Sequence, residues 1–227
     1  AYHTNSAGAE TVAADVRAAG GRSWCVSLDM ADAADVERAM AEVATLTDGV
    51  LDIAVLNAGQ NILTPFRTLE PDEWDAVVRT NLNGTFYMCR AALPHMYEQG
   101  FGRIVNISSV HGLRASPFKS AYVAAKHGLE GLSKVIALEG GGRGVTSNTI
   151  CPAYVRTPLV EKQIADQARI HGISEDRVVE EIMLTEPAIK RLIEPAEVAE
   201  LVAYLCSAPA SFANGSSYLL DGGWSAR

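Results

Sequence analysis

The sequence contains no apolar run near the ~20 residues that a membrane-spanning helix needs. It has no Cys-x-x-Cys pair and no surplus of basic residues. Its four cysteines, Cys25, Cys89, Cys151 and Cys206, stand far apart in apolar runs, and no histidine lies near them at metal-ligand spacing. That pattern predicts buried, reduced thiols, no metal centre and a cytosolic setting. The formal charge of −8 argues against nucleic acid, which would want a basic stripe. It also means that an anionic substrate can be held only by a local positive pocket. Repeats, low-complexity tracts and Pro/Gly-rich linkers are missing too, so the 227 residues read as one domain with room for a sizeable core. No secretory signal is present, and the first residue is Ala1 rather than Met.

What is present is alternation. Apolar runs at 22–28, 51–56, 103–108, 145–151 and 217–220 read as strands, several of them apolar almost throughout, as strands covered on both faces are. Helical patterns fill the gaps at about 7–19, 32–47, 71–97, 120–139 and 195–206. Asn5 or Ser6, Asp32, Pro71 and Pro195 mark helix starts, and Gly20 and Gly100 mark ends. Such alternation predicts an α/β fold with a doubly wound parallel sheet of Rossmann-like type, whose ligands bind beyond the carboxyl ends of the strands.

One element is lacking. A dinucleotide fold opens with a strand, a Gly-rich turn and a helix that together hold the pyrophosphate. Neither Gly-x-x-x-Gly-x-Gly nor Gly-x-Gly-x-x-Gly occurs near the start, where 2–5 look like the end of a second strand. The expectation is a chain trimmed by roughly 30 residues, one strand and one helix.

The chemistry-bearing candidates lie after the strands. Tyr122 and Lys126 are four apart in a helical stretch, which places them on one face. A free phenol is a poor acid or base at neutral pH, and a neighbouring ammonium favours its phenolate. Ser109 follows the strand at 103–108, and Asn57-Ala58-Gly59 follows the strand at 51–56. Asn81 sits mid-helix, a poor place for Asn unless its side chain bonds locally. Singly these read as a surface pair, a turn Ser, an Asx turn and a helix defect. Their joint order on the right strand ends is far harder to reach by accident.

With Asn57-Ala58-Gly59, Asn81, Ile107-Ser108-Ser109, Tyr122-Val123-Ala124-Ala125-Lys126, Cys151-Pro152, Thr157-Pro158 and Asp221-Gly222-Gly223, the chain resembles the short-chain dehydrogenase/reductase family over its whole length. The resemblance implies hydride transfer with a nicotinamide cofactor. It makes Tyr122 the acid/base, Lys126 its electrostatic partner and a ligand of the nicotinamide ribose. Ser109 would polarise the substrate carbonyl, and Asn81 would hold a water linked to Lys126. Asp29 would meet the adenine. Asn57, Ala58, Gly59, Pro152, Val155 and Thr157 would line the cofactor. Ala153 departs from the family, which usually has Gly there.

Within that family, 108–139, 151–163 and the closing Asp221-Gly222-Gly223-Trp224-Ser225-Ala226-Arg227 look like the 3-hydroxybutyrate dehydrogenases. This implies oxidation of (R)-3-hydroxybutyrate to acetoacetate with NAD. His111, Lys119, Gln163 and Asn61 would grip the carboxylate, where relatives have Gln in place of Asn61 and often Trp in place of Tyr154. A buried carboxylate needs such charge-assisted donors. The segment 158–187 would be a lid over substrate, and relatives imply a homotetramer with Trp224 near a subunit interface. Tyr2-His3-Thr4-Asn5 offers neither an acid for a ribose hydroxyl nor an Arg for a 2′-phosphate, so the residues leave NAD and NADP open. Two other readings stand: an NADPH-dependent reductase of 3-oxoacyl thioesters, and a non-catalytic dinucleotide-binding scaffold.

Overall fold

The structure is a computed structural model that describes residues 1–226, apart from the side chains of Leu159 and Ile170. Arg227, the last residue of the closing motif, lies outside the described residues. In chain order the elements are α1 (Ser6–Ala18), α2 (Ala33–Leu46), β1 (Ile53–Leu56), α3 (Pro71–Val78), α4 (Gly84–Gln99) and β2 (Gly102–Ile107). They continue with α5 (Ser120–Gly140), β3 (Val145–Pro152), α6 (Pro158–His171), α7 (Glu175–Val178), α8 (Pro195–Cys206) and β4 (Ser217–Leu220). The four strands pair in parallel in the order β1-β2-β3-β4. This is the Rossmann-like parallel sheet that the strand–helix alternation predicts.

Helix boundaries follow local chemistry. Asn5 accepts from the Gly8 amide and starts α1, and Asp32 accepts from the Ala34 and Asp35 amides and starts α2. Pro71 and Pro195 occupy first-turn positions, each behind a reciprocal Glu capping box. Gly100 ends α4 at φ 67°, a left-handed conformation that a side chain would strain. Burial does the rest. Met96, Ile104 and Val145 close off the core between α4 and the sheet, with none of their surface left to water. Each such side chain contributes roughly 1.5–3 kcal/mol of transfer free energy.

Two expectations are corrected. The run at 22–28 is not a strand of the sheet but a single bridge, in which the Tyr2 amide donates to Val26 O and the Leu28 amide to Tyr2 O. A strand exists only through its neighbours, and this run has one residue of partner chain. The helix expected over 71–97 is interrupted by a π-helical turn at Arg79–Asn83. There the Asn81 side chain donates to the Val77 carbonyl at 2.9 Å, taking an acceptor that regular α-helix would use for backbone.

The segment expected as a lid is built mostly of α6, α7 and a π turn at Val179–Met183. It packs a small core from Val160, Ile164, Val178, Met183 and Leu184, which Leu192 beyond the segment completes. Among the described residues, no helix is long and apolar enough to cross a membrane, and all four cysteines are free thiols.

Candidate active site

The carboxyl ends of β1, β2, β3 and β4 open onto two adjoining cavities. The larger, about 850 Å³, runs from Tyr2, His3 and Asp29 along the free edge of β1 to Asn57-Ala58-Gly59 and Gln60. The smaller, about 160 Å³, is walled by Asn61, Ser109, His111, Lys119, Tyr122, Lys126, Tyr154 and Gln163, among others. Asn57, Gly59 and Gln60 line both. The residues expected to be catalytic and those expected to grip a carboxylate, drawn from five stretches of sequence, therefore meet in one space.

Tyr122 and Lys126 come from the first two turns of α5, whose apolar face buries Ala121, Ala125 and Leu129. The Lys126 ammonium lies 5.6 Å from the Tyr122 ring centre and donates to the Ile107 carbonyl at 2.8 Å. Burial brings Lys126 down to about 8, against an upward pull from Cys151 and Glu130. Burial also holds the Tyr122 phenol above its ordinary range, and a hydrogen bond with Ser109 draws it back only in part. Here the expectation of an acidified phenol is reversed in the chain by itself. Desolvation is the largest influence on it, so Tyr122 keeps its proton at neutral pH.

Ser109 stands in extended backbone just past β2, where its oxygen accepts from the His111 amide at 3.2 Å. That bond fixes the hydroxyl towards Tyr122. Asn81 is buried, and its amide donates to the Gln60 carbonyl at 2.7 Å as well as to Val77. Its Oδ1 is buried without a hydrogen-bond partner. Gly59 is the reason this oxygen can reach the cavity side: a Cβ there would lie 2.7 Å from Asn81 Oδ1 and 3.8 Å from Lys126 Nζ.

At the other wall, Lys119 Nζ lies 3.2 Å from His111 Nε2 and 5.3 Å from the Tyr154 ring centre. Burial, then the charge of Lys119, pushes His111 down to about 4, while burial brings Lys119 to about 8. His111 is thus neutral at pH 7 and accepts the Lys119 proton. Asn61 Oδ1, on the same cavity, is buried without a partner.

Three residues expected to line the cofactor lie outside the lining of both cavities. Pro152 is paired to Leu220 within the sheet, Val155 bridges to Ile193, and Thr157 caps α6 by accepting from the Val160 amide. Ala153 and Tyr154, between them, reach the cavity instead. Trp224 lines the smaller cavity as well, stacked on Tyr154 at 6.0 Å and edge-on to His111 at 5.7 Å, a contact the sequence reading did not anticipate. Nothing local in sequence pairs residues 154 and 224; the turn after β4 brings them together, with Asp221 accepting from the Gly223 and Ser225 amides. Glu130 was missed altogether. Its spacing, four beyond Lys126 on the buried face of α5, is the signal that could have found it.

The comparisons agree with this geometry. A family model described as enoyl-(acyl carrier protein) reductase matches residues 1–225. A D-beta-hydroxybutyrate dehydrogenase of Rhizobium meliloti is 47% identical over 88% of this chain and 77% of its own length. An acetoacetyl-CoA reductase of Shinella zoogloeoides is 38% identical over 77% of this chain and 68% of its own. A crystal structure of an actinorhodin polyketide ketoreductase variant with NADPH superposes with a TM-score of 0.91. It is 31% identical and matches over 98% of this chain and 85% of that one. With a parallel sheet, a Ser–Tyr–Lys cluster at its carboxyl edge and these relatives, the chain belongs to the short-chain dehydrogenase/reductase family of oxidoreductases that bind a nicotinamide dinucleotide.

Proposed function

We propose that this chain interconverts (R)-3-hydroxybutyrate and acetoacetate with NAD. The observation that carries this reading is the Lys119–His111 pair, 3.2 Å apart on the wall of the same small cavity as Tyr122 and Ser109. A free carboxylate taken out of water requires a charged donor, whereas a thioester does not.

The larger cavity fits a dinucleotide at its nicotinamide end: Gly59 leaves open the space into which Asn81 Oδ1 and Lys126 Nζ project. Asp29, Asn57, Ala58, Gly59 and Lys126 would hold the cofactor, with Pro152, Val155 and Thr157 setting the backbone that frames it. The bound nicotinamide supplies or accepts the hydride at C3 of the substrate. Tyr122 gives its proton to the carbonyl oxygen in reduction and takes the hydroxyl proton in oxidation. Ser109 holds that oxygen by a hydrogen bond. Lys119, His111, Asn61 and Gln163 clamp the carboxylate at the far end, so C3 has one orientation and one hydride face. Trp224 and Tyr154 enclose the carbon chain, and 158–187 closes over it to exclude water. Asn81 holds a water through which Lys126 exchanges protons with solvent. We place the enzyme in the cytoplasm as a homotetramer.

The second reading, reduction of a 3-oxoacyl thioester with NADPH, is favoured by the acetoacetyl-CoA reductase relative. One experiment separates the two. Purified protein is assayed by nicotinamide absorbance with (R)- and (S)-3-hydroxybutyrate, with acetoacetate and with an acetoacetyl thioester, using NAD(H) and NADP(H). Turnover of the (R) acid with NAD supports the proposal. Activity confined to the thioester sinks it.

A further inference from the structure

Four residues beyond Lys126, α5 carries a carboxylate into the interior. Glu130 is 5% exposed, and burying an isolated charge costs several kcal/mol even after relaxation. Its Oε2 accepts from Thr149 Oγ1 at 2.7 Å and from Ser217 Oγ at 2.5 Å, and its Oε1 accepts from Cys151 Sγ at 3.4 Å. All three donors are neutral, so the carboxyl oxygens are satisfied without a cationic partner. Gly112 packs directly over it: a Cβ there would lie 2.9 Å from Glu130 Oε1. The carboxylate is thus wedged among α5, β3, β4 and the turn that follows Ser109.

Lys126 is equally short of ionic partners. Its ammonium donates to a neutral acceptor, the Ile107 carbonyl. Cys151 also faces it from β3, but burial and then Glu130 push that thiol up to about 12, so it carries no charge at neutral pH. On its own helix Lys126 faces Tyr122, which keeps its proton, and Glu130; Lys119 shares the cavity and repels it. Glu130 and Lys126 are therefore a buried carboxylate and a buried ammonium one helical turn apart, and among the described residues neither has an ion pair. Each offsets part of the burial cost of the other.

We propose that Glu130 is a positioning residue that acts through Lys126. Its fixed negative charge keeps the ammonium protonated, and its three hydrogen bonds hold α5 at the height where Tyr122 meets Ser109. The consequence for turnover rests on the acid–base reading of Tyr122 and Lys126, but the electrostatic claim does not.

The test follows the Lys126 side-chain ¹³Cε resonance through a pH titration of the protein without substrate or cofactor. In the native chain its midpoint is expected at about 8. In Glu130→Gln the midpoint falls below the native one, since removing a near opposite charge disfavours the ammonium. In Glu130→Asp, which keeps the charge, it returns most of the way. Glu130→Met is a second charge-free variant, so whichever of the two folds decides the matter. Ketone reduction should lose its alkaline limb at correspondingly lower pH in the charge-free variant, with the substrate KM little changed. A purely structural Glu130 would lower thermal stability and leave the Lys126 midpoint in place, and that result overturns the proposal. Because the resonance needs no substrate, it stands or falls separately from the 3-hydroxybutyrate reading.

Discussion

Lys119 Nζ lies 3.2 Å from His111 Nε2, so two groups that are both cations when protonated share one hydrogen bond on the cavity wall. At neutral pH the pair carries one positive charge, because His111 is held down to about 4 by burial and by that same ammonium. An imidazole that accepts from Lys119 fixes where the ammonium points. The pair thus presents a single positive charge to the cavity in a chain of formal charge −8.

Removing that charge should cost affinity for the acid and little else. Lys119→Ala is expected to raise KM for 3-hydroxybutyrate and acetoacetate by roughly 30- to 150-fold, the equivalent of about 2–3 kcal/mol for a lost charge-assisted contact. Steady-state kinetics with the acid and with an uncharged 3-oxo ester checks this. Equal losses on both would remove Lys119 from carboxylate recognition.

The same pair makes stability depend on pH in a fixed direction. His111 falls from an ordinary 6.5 to about 4 in the folded chain, so the unfolded chain binds its proton first as pH drops. Its contribution is present above pH 6.5 and is lost as pH falls towards 4, amounting to at most about 3 kcal/mol. Denaturant unfolding of native protein and His111→Gln across this window measures it. The variant should show the flatter slope, and identical slopes would contradict the assignment.

Tyr122→Phe should lower kcat by ~10²–10⁴, the usual range for a general acid, while NADH still binds. Ser109→Ala should act in the same direction and add little to the double variant, because one hydrogen bond joins the two groups. Nicotinamide absorbance gives the rates, and fluorescence quenching by NADH gives the binding. Turnover that survives in Tyr122→Phe would end the acid–base reading.

Gly59→Ala should be damaging out of proportion to its one methyl. The added Cβ would sit 2.7 Å from Asn81 Oδ1, which two hydrogen bonds from its amide hold in place. Overpacking of this kind costs about 1–3 kcal/mol. Thermal unfolding reports that loss, and NADH affinity should fall with it. An unchanged melting curve would mean that the Asn81 side chain is free to move.

Much of the fold was readable because it depends on local chemistry. Asn5 and Asp32 at helix starts, Pro71 and Pro195 in first turns and Gly100 at φ 67° are each set by a few neighbouring atoms. The run at 22–28 failed because β-structure is a property of pairs: its apolar residues say nothing about whether a neighbour extends alongside. The π turn at Asn81 was likewise hidden: an Asn in mid-helix signals a local side-chain bond, but its second acceptor, the Gln60 carbonyl, arrives from another part of the chain.

Residue types and spacings alone determined that a Tyr and a Lys share one helix face, that Ser109 and Asn57 follow strands, and that the cysteines stay apart. The folded chain decided the rest. It stacked Trp224 on Tyr154, buried Glu130 among donors from β3 and β4, and left the Tyr122 phenol protonated. The reason is physical: which side chains can meet follows from helix and strand periodicity, but their charge states depend on how much water packing removes, and only the assembled tertiary structure sets that.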